Sequence, residues 1–234
     1  MENDFLNKLL DYPAPSWAPN GLHATPAELT RRLYDWAAPV YGVTTNFFHS
    51  NAHRRALEFC EIRDGARVLE VATGSGEMFR RLVRVNPNGA TIGVDLSPNM
   101  AARAQGRVRR EFPGARAQCN AVDARRLPFR DATFDTVVCC YLLELLSGED
   151  IWKTLGEFHR VLRSHGSLVL VLIGQNTAMF NRIYRVLGKV APAFWGRQVE
   201  ERLPELIEAG DFRIERDAVV RQVFYPSRVL VARK

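Results

Sequence analysis

The feature that most constrains this chain is the segment Glu70-Val71-Ala72-Thr73-Gly74-Ser75-Gly76, which lies between a predicted strand and a predicted helix. The strand is expected over about Arg67–Ala72, and the helix over about Glu77–Arg84. Glycine lets the backbone turn sharply and approach a ligand closely. Because a turn that leaves a strand and opens a helix lies at the carboxyl edge of a parallel sheet, the segment predicts a ligand-binding edge there.

Strands and helices continue to alternate after this turn, which indicates an α/β fold. The last two strands are joined only by Tyr225-Pro226-Ser227, a connection too short for a crossover helix, so they must pair antiparallel. We therefore expect a doubly wound, mostly parallel seven-stranded sheet with a terminal antiparallel hairpin. The strands predicted after the first are Thr91–Asp95, Ala115–Ala121, Phe134–Tyr141, Ser167–Ile173, Phe212–Val223 and Arg228–Ala232.

The pattern divides the chain into two parts. Residues 1–62 are expected to form an irregular arm and cap helices, and Thr25-Pro26-Ala27-Glu28 has the form of a capping box. A second helix is expected over about Thr45–Cys60. These helices have no strand partners, so we expect them to cap the carboxyl edge of the sheet. Residues 63–234 are expected to form the ligand-binding domain, with a helical insert at about 175–210.

Composition excludes several classes of protein. With 47% hydrophobic residues the chain can bury a sizeable core, yet no run approaches the ~18 apolar residues of a membrane span. The four cysteines form no C-x-x-C pair, so we predict no metal site and reduced core thiols. The net charge is +6, but the arginines are scattered as pairs, which favours solvated helix faces over a nucleic-acid track. We expect a cytoplasmic protein, since no secretory signal is recognisable.

Acidic residues follow three successive predicted strands or lie at their ends. Asp95 ends the second strand, where a carboxylate accepts hydrogen bonds from the two ribose hydroxyls of an adenosine. Asp123 follows the third strand and could reach the adenine amine, with Leu96 packed on the adenine face. Glu70 lies beneath the glycine-containing turn. Three acids in corresponding places are more consistent with an adenosine-cofactor site than with capping or solvated residues.

Two features decide between the adenosine cofactors. The dinucleotide fingerprint G-x-G-x-x-G, started at Gly74, would need glycine where this chain has Phe79. The Glu70 carboxylate would repel a pyrophosphate, but it would attract a ligand that carries an ammonium and a sulfonium. The sequence therefore predicts S-adenosylmethionine as the cofactor.

Over about residues 34–173 the chain resembles the class I S-adenosylmethionine-dependent methyltransferases, with Ala72 at the first glycine of their E-x-G-x-G-x-G motif. The resemblance implies a Rossmann-like methyltransferase fold and an enzyme in which Glu70 supports the turn and Asp95 holds the ribose. It also implies the contacts of the remaining cofactor-binding residues. The methionine portion would be lined by Ala72, Thr73, Gly74, Ser75 and Gly76, the adenine by Leu96, Met100, Asp123 and Ala124, and the methyl group would be faced by Cys140 and Tyr141.

Within that class the chain is similar to the ubiquinone/menaquinone-biosynthesis C-methyltransferases and the lipid methyltransferases. Tyr34-Asp35-x-x-Ala38-Pro39-x-Tyr41, leading to His53-Arg54, parallels their N-terminal signature. The segment Arg160–Gly166 parallels their R-V-L-K-P-G-G turn. The chain departs from the pattern at Gly42, which replaces an aspartate, and at Ser164-His165, which replace proline-glycine.

The acceptor is predicted less directly. The segment after the fourth strand lacks the N/D-P-P-Y loop of nucleic-acid amino methylases, which argues against nucleic acid. An amphipathic basic helix at 177–197 is typical of a peripheral membrane contact or a lid, although an ordinary packed helix has the same pattern. We therefore expect a small hydrophobic or amphipathic acceptor, quinone-like or lipid. The alternatives are an O- or N-methyltransferase of secondary metabolism and a non-catalytic adenosine-binding protein.

Methyl transfer from a sulfonium is a direct displacement in which the protein mainly aligns donor and acceptor. A general base is needed only where the acceptor must first lose a proton. The sequence does not identify that base. The candidates are Tyr34, Tyr41, His49, His53 and Tyr141.

Overall fold

The computed structural model describes residues 50–174, 199, 202–222 and 225–234. The predicted N-terminal arm, the first cap helix and the amphipathic helix at 177–197 lie outside the described residues. The same holds for three of the candidate bases, Tyr34, Tyr41 and His49. The predicted division of the chain at residue 62 therefore stays a prediction.

Seven strands form one sheet in the order β3-β2-β1-β4-β5-β7-β6. Strand β7 is antiparallel to both of its neighbours, and the other pairs of adjacent strands are parallel. This arrangement confirms the predicted sheet and its terminal hairpin. The strands are β1 Arg67–Val71, β2 Ala90–Asp95, β3 Arg116–Ala121, β4 Phe134–Cys140, β5 Leu162–Ile173, β6 Arg213–Val220 and β7 Ser227–Arg233.

Helices cover both faces of the sheet. Residues of α4 and α5 pack with Leu69, Val137 and Leu170 on one face, and residues of α1 and α2 pack with Val68 and Val138 on the other. Alternate residues of the central strands thus serve opposite faces, as expected for a doubly wound fold. The helices are α1 Ser50–Cys60, α2 Glu77–Val85, α3 Pro98–Glu111, α4 Gly148–Val161 and α5 Leu203–Ala209, with a 3-10 turn at Leu143–Leu145.

The described part of the second predicted helix does not cap the carboxyl edge, so that prediction is wrong for residues 50–60. Helix α1 lies on the face of the sheet and buries Ala52, Ala56 and Cys60 against β5 and β7. The physical reason is the small-residue stripe at i, i+4 and i+8, which lets the helix approach the sheet closely.

The segment Arg160–Gly166 closes α4 against the loop that precedes β4. The Arg160 guanidinium donates to the backbone carbonyls of Leu127 and Phe129 and pairs with Asp131 and Glu157. His165 adopts φ 62°, the left-handed conformation for which glycine is favoured. The segment that resembles the family's turn is therefore a structural junction at the end of the sheet opposite the glycine-containing turn.

Candidate cofactor site

Three residues of the turn after β1 have left-handed backbone conformations: Ala72 at φ 62°, Gly74 at 51° and Gly76 at 77°. The turn is held by hydrogen bonds from the backbone N–H of Thr73 to the carbonyl of Val94 and from that of Gly76 to the carbonyl of Thr73. Ala72 and Gly74 remain partly exposed, whereas Thr73, Ser75 and Gly76 are buried. The turn therefore presents backbone to the carboxyl edge of the sheet, as the sequence predicts.

Ala72 occupies a conformation that costs an L-residue about 1 kcal/mol. We expect Ala72→Gly to raise the free energy of unfolding by up to about 1 kcal/mol, measured by urea denaturation without ligand. Ala102→Gly, at an exposed position of α3, is the matched control and should lower it by about 0.5–1 kcal/mol. An Ala72→Gly protein as destabilised as this control would show that the left-handed conformation carries no strain.

Glu70 lies beneath the turn and is 1% exposed. Its Oε2 atom accepts no hydrogen bond from any residue in the described part of the chain, and the same is true of the Ser75 hydroxyl. Burial, with the nearby charges of Asp95 and Glu77, raises the pKa of the Glu70 carboxyl well above its usual value. An uncompensated buried acid fits a cationic ligand, which would stabilise its charged form, and does not fit an anionic one.

Asp95 joins the two loops of the site. Its Oδ2 accepts the backbone N–H of Gly74 at 2.7 Å, and its Oδ1 accepts the backbone N–H of Ser97 at 2.9 Å. The side chain of Ser97 in turn caps α3 by accepting the N–H of Met100 at 3.1 Å. The carboxylate thus fixes the turn after β1 to the start of α3, beside any ribose that binds there.

Asp123 is engaged differently from the prediction. The guanidinium of Arg125 donates to both of its carboxylate oxygens, at 2.7 to 3.1 Å, and also pairs with Asp150 at 3.0 Å. Hydrogen bonding from the Arg125 side chain is the main reason why the pKa of Asp123 is lowered. The expected contact of Asp123 with an adenine amine therefore competes with a bidentate ion pair, which the sequence did not indicate.

The other predicted contact residues differ in exposure. Met100 is fully buried, whereas Leu96 and Ala124 are partly exposed, with Ala124 packed against the core under α4. The Thr73 hydroxyl lies 3.4 Å from the Cys119 sulfur of β3. The part of Thr73 available to a ligand is thus its backbone.

Tyr141 and His53 are the two candidate bases within the described residues. The Tyr141 hydroxyl lies 2.7 Å from the Ser227 hydroxyl of β7 and accepts the Gln222 amide at 3.1 Å. The hydroxyl is therefore bonded to residues in and next to β7, and the predicted position of Tyr141 against the methyl group stays a prediction. Burial raises the pKa of Tyr141 well above its usual value, so it is a poor base.

His53 and Cys140 lie on the same face of the sheet as Tyr141. The His53 ring is 3% exposed, and its centroid is 6.3 Å from that of Tyr141. Cys140 belongs to the buried cluster under α1, and burial raises the pKa of its thiol well above the usual value. The Cys140 thiol is therefore un-ionised and packs within the core.

A buried acid next to the turn was missed from the sequence. Glu77, the first residue of α2, is 2% exposed and forms ion pairs with Arg80, Arg81 and Arg107 at 2.7 to 3.0 Å. Arg81 also donates to the Ser50 hydroxyl, which connects α2 to α1. Each of these arginines, taken singly, has the sequence context of an exposed helix residue. The sequence therefore did not indicate that all three pair with one buried carboxylate.

The described residues bear on three further expectations. All four cysteines are free and buried. Within the described ranges, no three or more His, Cys, Asp and Glu side chains are grouped to hold a metal ion. No helix in those ranges combines the length and the apolar character needed to cross a bilayer.

Comparison with known proteins gives a consistent result. A family model described as a methyltransferase domain matches residues 68–166. The chain is 30% identical over 146 residues to a 2-phytyl-1,4-naphtoquinone methyltransferase of Nostoc sp., a match that covers 60% of this chain and 63% of that protein. It is 29% identical over 188 residues to a demethylmenaquinone methyltransferase of Thermus thermophilus, covering 76% and 84%. The chain thus spans just under two thirds of the first of these relatives.

The fold has a close counterpart among solved structures. The crystal structure of the 4+2 cyclase SpnF superposes with a TM-score of 0.74 at 19% identity, covering 90% of this chain and 96% of that one. At this identity the likeness concerns the fold alone. It confirms the predicted Rossmann-like architecture and says nothing of the reaction.

Proposed function

We propose that this chain, which carries an S-adenosylmethionine-dependent methyltransferase domain, transfers a methyl group to a ring carbon of a hydrophobic, quinone-type acceptor. The observation that carries the methyl-donor half of the proposal is Glu70, a fully buried acid without a hydrogen-bond partner for Oε2 in the described chain. The acceptor half is supported by the two relatives, whose names both specify naphthoquinone-type substrates.

The residues of the turn fit this cofactor by charge and by space. Bound there, S-adenosylmethionine would supply a methyl group activated by a sulfonium. The Glu70 carboxyl would supply negative charge beneath the turn, and the Asp95 carboxylate would accept hydrogen bonds from the ribose hydroxyls and so orient them. Gly74 has no side chain and a left-handed backbone at φ 51°, so a ligand can approach the backbone closely there.

The chemistry of the proposed acceptor predicts that its hydroquinone form is the better substrate. Ring hydroxyls donate electron density to the ring carbons, and this donation is what makes a ring carbon nucleophilic. An oxidised quinone lacks those hydroxyls and is electron-poor. The protein therefore has to align a ring carbon with the methyl group and to manage the proton of one hydroxyl.

The test is a methyl-transfer assay with radiolabelled S-adenosylmethionine and 2-phytyl-1,4-naphthoquinone, reduced with dithionite or left oxidised. We expect label in the ring-methylated product at a rate at least about tenfold higher with the reduced acceptor, because only that form is activated for attack.

Product analysis distinguishes the alternatives. A methyl group on a ring carbon survives treatment that cleaves methyl ethers and esters, whereas an O-methyl group does not. Phosphoethanolamine and a total phospholipid extract serve as acceptors for amine and lipid methylation. Label in those products alone, or no transfer while S-adenosylhomocysteine still binds, would refute the quinone assignment.

A further inference from the structure

A second buried acid lies at the carboxyl edge of the sheet, away from the turn. Glu144 is in the 3-10 turn that follows β4 and is 1% exposed. Its Oε1 accepts the backbone N–H of Ile173, the last residue of β5, at 2.6 Å. Because Ile173 pairs with Ser227 at the start of β7, Glu144 lies where β4, β5 and β7 meet at one edge.

The other carboxylate oxygen of Glu144 is unsatisfied. No residue that the structure describes donates a hydrogen bond to Oε2, although this atom is removed from water. An unpaired buried carboxylate oxygen costs free energy and is uncommon in native proteins. The fold does not need a hydrogen bond to Oε2, because the bond from the Ile173 N–H to Oε1 already joins Glu144 to the end of β5. Within the described ranges, Oε2 is thus an acceptor that no protein group uses.

The surroundings of Glu144 set its charge. Burial raises the pKa of its carboxyl to about 7, opposed by the backbone N–H groups of Ile173 and of Glu144 itself. Its charge acts on the Cys139 and Cys140 thiols of β4, and burial is the main cause that raises the pKa of both thiols well above the usual value. No charged side chain of the described ranges contributes to its shift. Glu144 thus differs from Glu70, whose pKa also reflects two neighbouring acids.

We propose that Glu144 is the proton acceptor for the ring hydroxyl of the methyl acceptor, a role that rests on the proposed function above. The hydroxyl O–H bond breaks, its electron pair stays on the phenolate oxygen, and the proton bonds to Oε2. The phenolate activates the ring carbon for attack. The ring carbon then forms the C–CH3 bond, and the electron pair of the broken S–CH3 bond stays on sulfur. Loss of the proton at that ring carbon leaves its C–H electron pair to restore the aromatic ring, and one proton returns to the ring oxygen, so that one proton is released overall.

Geometry and chemistry favour Glu144 over Tyr141 for this step. The Tyr141 hydroxyl is bonded to Ser227 and Gln222, and a tyrosine must ionise before it can accept a proton. A carboxyl that titrates near neutral pH combines a useful ionised fraction with enough basicity to take up a proton. In the sequence, Glu144 is flanked by Leu142-Leu143 and Leu145-Leu146, and this apolar context did not indicate a role in proton transfer.

The test compares wild type, Glu144→Gln and the matched control Glu149→Gln, an exposed carboxylate in α4 that pairs with Lys153. With reduced 2-phytyl-1,4-naphthoquinone, wild type should lose about tenfold in kcat per pH unit below pH 7. Glu144→Gln should be about 100-fold slower near pH 7.5 and should lack that acidic limb. Glu149→Gln should match wild type in both respects, and S-adenosylhomocysteine affinity should be unchanged in all three proteins.

A second readout does not depend on turnover. Infrared difference spectra recorded between pH 6 and 8 with S-adenosylhomocysteine bound should show a carboxyl titrating near pH 7 in wild type and in Glu149→Gln. That signal should be missing from Glu144→Gln. If Glu144→Gln fails to fold, the wild-type titration and the slower Glu144→Asp variant test the same point.

The outcomes separate the two proposals. A wild type that methylates no quinol at any pH refutes the proposed function, and the role of Glu144 with it. A wild type that methylates the quinol, together with a Glu144→Gln protein that keeps the rate and the acidic limb, refutes the role of Glu144 alone.

Discussion

Replacing Asp95 with alanine is expected to weaken the binding of S-adenosylhomocysteine about 100-fold, which corresponds to about 2.7 kcal/mol. The carboxylate holds the N–H groups of Gly74 and Ser97, and we expect it to accept the ribose hydroxyls as well. Hydrogen bonds to a charged group contribute about 1.5–3 kcal/mol each. The substitution removes the ligand contact and releases the turn that surrounds it.

Isothermal titration calorimetry of Asp95→Ala measures this loss. The matched control is Asp131→Ala, which removes a 78%-exposed carboxylate paired with Arg160 and should leave the affinity within about twofold of wild type. Thermal unfolding without ligand shows how much of the effect is a loosened turn. An Asp95→Ala protein that binds as tightly as wild type would place the ribose elsewhere.

Gly76→Ala is expected to lower the free energy of unfolding by about 3 kcal/mol, because two costs of 1–2 kcal/mol or more combine there. Gly76 has φ 77°, a left-handed conformation that disfavours any side chain. A Cβ at this position would also lie 2.8 Å from the Cα and 2.9 Å from the Cβ of Ala104. Because the clashing Ala104 atoms belong to the backbone and Cβ of α3, they can move only with the whole helix. The substitution therefore forces α2 and α3 apart.

Urea denaturation gives the free energy, and Gly106→Ala is the control. A Cβ on Gly106, within α3, meets nothing within 4 Å, so this change should stabilise the protein by about 0.5–1 kcal/mol. Loss of cofactor binding in Gly76→Ala would accompany its destabilisation, because the same residue ends the turn. Equal stability of the two variants would contradict the close approach of α2 to α3.

The two halves of the proposed reaction use two kinds of buried acid. Glu70 has acidic neighbours and lies under the turn, so a cationic ligand relieves it. Glu144 lies at the ends of β4 and β5, and burial raises the pKa of its carboxyl to about 7, which suits the proposed uptake of a proton. Position in the sheet, rather than residue type, separates their roles.

The fold was predictable because its signals are local. Strands buried on both faces, such as Phe134–Cys140, have largely apolar sequences, and a three-residue connection can only make an antiparallel hairpin. The predicted ends of the strands were less accurate than their number and order. Strand β5 begins at Leu162 rather than at the predicted Ser167. A register irregularity between Phe134 and Thr136 of β4 lets Leu162 pair with Phe134, so the strand starts five residues earlier.

The sequence by itself determined the sheet, the position of the turn and the acids Glu70 and Asp95 at its carboxyl edge, because strand ends and turns are set by residues adjacent in the chain. Only the tertiary structure decided what each acid contacts. Arg125 lies against Asp123, the Tyr141 hydroxyl points to β7, and no donor among the described residues reaches the second oxygen of Glu144. These contacts join residues far apart in sequence, and burial, which sets their charge, exists only once the sheet and helices have packed.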